Sequence, residues 1–149
     1  MNEAVEVLLR FIDQRYSQRR HHEDQRAAIT GVVFVVAAAI QGALAQMGFN
    51  KNALTLALTL IILGIFGMIA SAKLSQKCAW HDHMLAQLFR QLDEFIPELK
   101  VRDTHRTTRE EYEKNHKLLL KIHAHDIWAV VNLLIALLGI VYTIVIVFK

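Results

Sequence analysis

The sequence predicts an all-α integral membrane protein with three transmembrane helices, and three observations predict it. The runs Ala27–Asn50, Asn52–Ala72 and Ile127–Phe148 carry no charged side chain. Each reaches the roughly 20 residues that a helix rising 1.5 Å per residue needs to cross hydrocarbon. Charge is confined to the segments between them, although 21% of the chain is charged and 54% is apolar.

The boundaries follow from those runs. The chain reads as one domain, 1–149, with a cytoplasmic amphipathic helix in 1–26 and spans at 27–47, 53–72 and 127–148. A cytoplasmic helical hairpin fills 73–126 as an antiparallel extension of the second and third spans. Lys and Arg set the orientation. Five precede the first span and ten lie between the second and third, whereas the first loop has only Lys51 and the C-terminus only Lys149. The excess of Lys and Arg on cytoplasmic loops places the N-terminus in the cytoplasm and the C-terminus outside.

Glu3–Arg20 repeats apolar residues at the helical period, with Val5, Leu8, Leu9, Ile12 and Tyr16 on one face. Such a helix docks on the rest of the protein or lies at the interface, with Arg15, Arg19 and Arg20 near the headgroups. The hairpin turn is predicted at Gly48–Asn52. In the spans, Ala38 with Gly42, Ala53 with Ala57, and Gly67 with Ser71 are small residues four apart. This spacing lets helix backbones approach in lipid.

Past the second span, Leu74, Cys78, His81, Leu85, Leu88, Leu92, Phe95 and Leu99 alternate in steps of four and three. That is a heptad seam, and the returning helix is its expected partner. Pro97 should end the helix, because it disfavours a helical Ile96 and brings no backbone donor. Lys100–Thr108 is the predicted turn. Thr108 and Glu111 resemble a capping box that opens the last helix, with Tyr112, His116, Leu119, His123 and Ile127 on one face.

Basic and acidic residues nearly balance in each polar segment, five of each before the first span and ten against nine in 73–126. That excludes a dedicated nucleic-acid surface, where one sign dominates a face. Cys78 is the only cysteine, so no intrachain disulfide can form. The first apolar run is too long and starts too late for a cleaved signal peptide.

All eight histidines lie in the cytoplasmic segments, and three pairs (His21/His22, His81/His83, His123/His125) sit near span ends. Three readings are open: interfacial hydrogen bonding with core roles for His81 and His123, a pH-responsive gate built on those two, or a metal site. The last requires separate helices to converge, because His-x-His on one helix sets the rings about 200° apart. No cofactor is expected. Gln41, Thr55, Thr59 and Asn132 are the polar groups within the spans. Each needs a partner on another helix, on another subunit or in a water-filled lumen. Arg109 and His116, with six residues between them, fit the loose Arg-x4–6-His pattern of one class of metal-independent ribonucleases. The segment is rich enough in both residues to produce it without catalysis, and no enzyme is expected.

The architecture resembles small bacterial membrane proteins such as the SLATT effectors, the RipA-like octameric membrane proteins and the membrane accessories of some CRISPR loci. The resemblance rests on the basic stretch from Tyr16 to Glu23, the short-looped hairpin, the helical segment through Trp80-His-Asp-His-Met to Leu92-Asp-Glu-Phe, and the closing His123-Ala-His-Asp-Ile-Trp. It implies a homo-oligomeric inner-membrane effector or accessory in anti-phage defence, in some cases a pore. Its implied partners are the bilayer, further copies of itself and a soluble cytoplasmic defence protein. A non-conducting scaffold that recruits a soluble partner is the alternative expectation.

Overall fold

A computed structural model describes residues 3–115 and 124–148. Among the described residues every regular element is helical. Four α-helices follow in order: α1 (Glu3–Met47), α2 (Leu54–Phe95), α3 (Val101–Asn115) and α4 (Ala124–Phe148). Short 3-10 turns, Lys51–Ala53 and Pro97–Leu99, precede α2 and α3. The stretches Glu3–Met47, Lys51–Phe95 and Asp126–Phe148 are each long and apolar enough to cross a bilayer.

The amphipathic segment and the first span are one unbroken helix, α1. No Pro falls between Glu3 and Met47, so nothing there breaks the backbone hydrogen-bond ladder. The first turn uses Gly48 at φ 72°, a conformation without penalty for glycine. Asn50 then caps the next element: its Oδ1 accepts from Asn52 N at 3.0 Å and Ala53 N at 3.2 Å, while its Nδ2 donates to the Met47 carbonyl. Helix α2 stops at Phe95, where Ile96 leaves the helical region before Pro97. Helix α3 begins at Val101, seven residues ahead of Thr108. The cap comes from Asp93, whose carboxylate accepts from Val101 N at 2.7 Å and Arg102 N at 3.0 Å.

Contacts gather into two compact units. One comprises Met1–Asp24 with Ser75–His123, and the other Gln25–Leu74 with Ala124–Lys149. The core of the first is Val5, Leu8 and Ile12 of α1 against Leu85 and Leu92 of α2, flanked by Leu88, Phe89, Ile96 and Val101. Among the described residues the seam packs on the N-terminal helix, with Val101 at the start of α3 beside it. Within it, Phe95 and Leu99 are expected members that lie exposed, at 54% and 52%. The helix ends at Phe95, so the register is lost there.

The second unit packs α1, α2 and α4 around Val33, Ala37, Leu44, Ala53, Ala57, Leu60, Ile135 and Ile146. Helices α2 and α4 touch backbone to backbone. A Cβ on Gly64 would lie 2.6 Å from Ala136 N and 2.7 Å from the Asn132 carbonyl oxygen, and one on Gly139 would lie 2.8 Å from Ile61 N. The large apolar side chains point outward, among them Phe34, Ile62, Phe66, Ile69 and Leu134. At the α2–α4 contact the inside is held by Gly64, Gly67, Gly139 and Asn132 while many large apolar side chains face outward, a pattern that suits hydrocarbon surroundings.

The buried stripe of α2 runs further than the predicted seam. Ala53, Ala57, Leu60, Gly64, Gly67, Ser71, Leu74, Cys78, His81, Leu85 and Leu92 are all buried, and Leu88 is half-buried. Their spacing alternates strictly between four and three, a continuous 3.5-residue repeat. The steps are filled by small residues in the apolar half and by leucines toward Phe95.

Candidate functional site: a polar break in the α1–α2 seam

In the first unit α1 and α2 run antiparallel, since Tyr16, Arg19 and His22 meet Phe89, Asp82 and His81 in reverse order. Between the apolar contacts at Ile12 and Leu85 the seam turns polar. On α1 the positions facing α2 become Arg15, Arg19 and His22, each half-buried. On α2 they are Cys78 and His81.

His81 is 4% exposed. Its ring stacks on His22 with centroids 5.4 Å apart and an interplanar angle of 27°, and meets Trp80 edge-on at 4.9 Å. The Arg15 guanidinium carbon sits 5.2 Å from the Trp80 ring centroid, within cation–π range. Arg19 Nε pairs with Asp82 at 2.6 Å, and its other branch reaches Glu23 at 3.3 Å. Cys78 Sγ lies 3.9 Å from the Arg19 carbonyl oxygen. His81 Nδ1 is buried and has no hydrogen-bond partner among the described residues. Burial, together with the nearby His22 and Arg15, pushes the His81 imidazole below its ordinary range, and Asp82 only partly opposes this. The ring is held neutral in a layer that already carries two guanidinium groups.

Two hollows flank this layer. One, of about 650 Å³, opens beside Ser17, His21, His22, Lys77, Trp80 and His81. The other, of about 860 Å³, lies between α1, α2 and α3, lined by Arg19, Asp82, Phe89, Asp93, Arg102 and Arg106 among others. In the second, most charges are already matched: Arg19 to Asp82, Arg106 to Asp103 at 3.3 Å and Asp93 to the start of α3. Arg109, which also lines it, is turned to Glu113 at 2.7 Å, and this bond raises its already high pKa. His116, His123 and Leu119 lie outside the described residues, so the Arg109/His116 pair and the His81/His123 pair have only one described member each.

No family model, curated protein or solved structure matches this chain. The site therefore has to be read from its own geometry. Among the described residues no group of three or more His, Cys, Asp or Glu is placed to hold a metal ion.

The polar residues of the second unit do not share a face. Asn132 is fully buried inside the single chain. Its Nδ2 donates to the Trp128 carbonyl at 2.8 Å, and its Oδ1 occupies the space where a side chain on Gly67 would stand. Of the partners open to it, this geometry is that of a helix within the same copy, where the glycine on α2 makes room for the amide. Thr55 and Thr59 are exposed, and the Thr59 hydroxyl is satisfied by the Thr55 carbonyl at 2.8 Å in its own helix. The buried Asn132 Oδ1 has no hydrogen-bond partner among the described residues, and Gln41 lies elsewhere. It is half-buried in a groove of about 370 Å³ between α1 and α4, walled by Phe34, Ala37, Val131, Leu134 and Leu138, with no hydrogen bond to any described residue.

Proposed function

We propose that this chain is a three-span protein of the bacterial inner membrane, with its N-terminus in the cytoplasm and its C-terminus outside, and that it acts as a homo-oligomer whose assembled spans form a pore. Gln41 carries this reading. An amide left unpaired in hydrocarbon costs several kcal/mol, and the groove around Gln41 is otherwise apolar. Its partner comes from a second copy or from water held between copies. Beside it, Ala38 and Gly42 are exposed, and a Cβ on Gly42 would meet nothing within 4 Å. That face is flat enough for a neighbouring helix to approach closely. The three helices of one copy share a packed core, so a water path needs several copies. The resemblance to SLATT-type and related proteins makes an effector or accessory in anti-phage defence the role we assign.

The test is induced expression with a membrane-potential dye, with and without phage infection. Depolarisation that Gln41→Leu abolishes supports the reading. An unchanged potential in both conditions, together with a monomer in every detergent, refutes it. A second reading is favoured by the 860 Å³ hollow of the cytoplasmic unit: a non-conducting scaffold that seats a soluble partner against α3. Under that reading, changes at Arg102 and Arg106 remove function and Gln41→Leu does not.

A further inference from the structure

The hollow beside His22 and Lys77 differs from the larger one in charge. Its lining has Ser17, Gln18, His21, His22, Lys77 and His81, and no carboxylate among the described residues. In a chain whose acidic and basic residues nearly balance, that is selective. The two carboxylates next in sequence to its histidines, Glu23 and Asp82, both pair with Arg19. Lys77 forms no ion pair with any described residue. Arg15, whose NH1 donates to Gln18 Oε1 at 3.0 Å, leaves the Gln18 amide nitrogen as a donor at the rim. The wall therefore offers an ammonium, hydroxyl and amide donors and imidazoles without a carboxylate, groups that can recognise a phosphate.

Depth along the helices says where such a phosphate would come from. His22 lies five residues before Ala27, where the first apolar run begins, and Lys77 five residues after Ala72, where the second ends. At 1.5 Å per residue each is about 7–8 Å beyond the hydrocarbon edge. The headgroup layer is about 5–8 Å thick on each side of a bilayer. Trp80, 52% exposed, stands one turn further from the hydrocarbon, about 12 Å beyond its edge, on the outer side of the cleft.

We propose that this cleft binds the phosphate of an anionic phospholipid headgroup from the cytoplasmic leaflet, with Lys77 and the His21/His22 pair as its ligands and Trp80 closing its outer side. The proposal rests on the three-span reading above. The headgroup anion would sit against the layer that already holds Arg15 and Arg19, and so would brace α1 against α2 at the membrane surface.

Native mass spectrometry of the full chain in a neutral detergent tests it, with phosphatidylglycerol, phosphatidylcholine or millimolar inorganic phosphate added. Retention of phosphatidylglycerol about five-fold over phosphatidylcholine is expected, as for one basic residue at an anionic surface. The preference disappears in Lys77→Ala and survives in Lys77→Arg and in the control Lys114→Ala. Equal retention of both lipids, or an unaltered preference in Lys77→Ala, overturns the proposal. So does displacement of the lipid by inorganic phosphate, which would assign the site to a soluble anion. Alkaline carbonate extraction separates the two failures: a chain that resists extraction but shows no lipid preference loses only this site, whereas an extracted chain loses the membrane reading itself.

Discussion

Replacing Gly64 by alanine adds one methyl group where α2 and α4 meet. The new carbon would stand 2.6 Å from Ala136 N and 2.7 Å from the Asn132 carbonyl oxygen. Both are backbone atoms, so no rotamer change relieves the clash and the helices must separate or bend. Overpacking of this kind costs about 1–3 kcal/mol. Alanine also gains about 1 kcal/mol over glycine in helix propensity, which partly hides the cost. Gly31→Ala removes that ambiguity, because Gly31 is exposed and a Cβ there meets nothing within 4 Å. It should gain the propensity without the clash. The stability gap between the two variants is then the packing cost alone, about 1–3 kcal/mol. Reversible unfolding by a denaturing detergent, followed by circular dichroism, measures it. Equal stability of the two variants would refute the close approach of α2 and α4.

The first unit yields three further outcomes. Asp93→Ala removes the acceptor for Val101 N and Arg102 N. It should cost about 1 kcal/mol and speed amide exchange at the start of α3. Lys100, held at φ 45°, should favour glycine: Lys100→Gly is expected to raise stability by up to about 1 kcal/mol, read as a higher melting temperature. His81 gives a pH dependence. Its folded-state pKa is lowered by burial, His22 and Arg15, so its neutral form stabilises the fold fully above the ordinary histidine value of about 6.5. That contribution is lost as pH falls below 6.5 toward the lowered value. His81→Leu should flatten this decline in a pH series of unfolding free energies, and a slope identical to the parent chain would contradict it.

The elements were legible where one strong physical term decides them. Uncharged runs marked the apolar halves of α1 and α2 and nearly all of α4, and Pro97 marked the end of α2. What stayed hidden was set by residues far apart in the chain or by small side chains. A local capping box at Thr108 and Glu111 predicts a helix start seven residues later than the one observed at Val101. The working cap is Asp93, eight residues before Val101. The seam of α2 was seen from Leu74 onward but not back to Ala53, because Ala, Gly and Ser at heptad positions do not register as an apolar repeat. A search for steps of four and three that admits small residues would have found it. The placement of Asn132 depended on Gly67, in a different helix. Arg15 lies over Trp80 and Arg19 pairs with Asp82, partners on another helix that local periodicity does not reveal. The seam is a repeat with a polar layer in it, and that layer holds the buried His81.

The central claim is that copies of this chain assemble in the membrane. Electron microscopy of the full chain purified in detergent tests it most directly, through particle symmetry. The account predicts a closed ring of identical copies with the Gln41 face at the contact or the lumen, and its loss in Gln41→Leu or Gly42→Ile. A monomer in every detergent, or a ring that buries a different face and is indifferent to both substitutions, would contradict it.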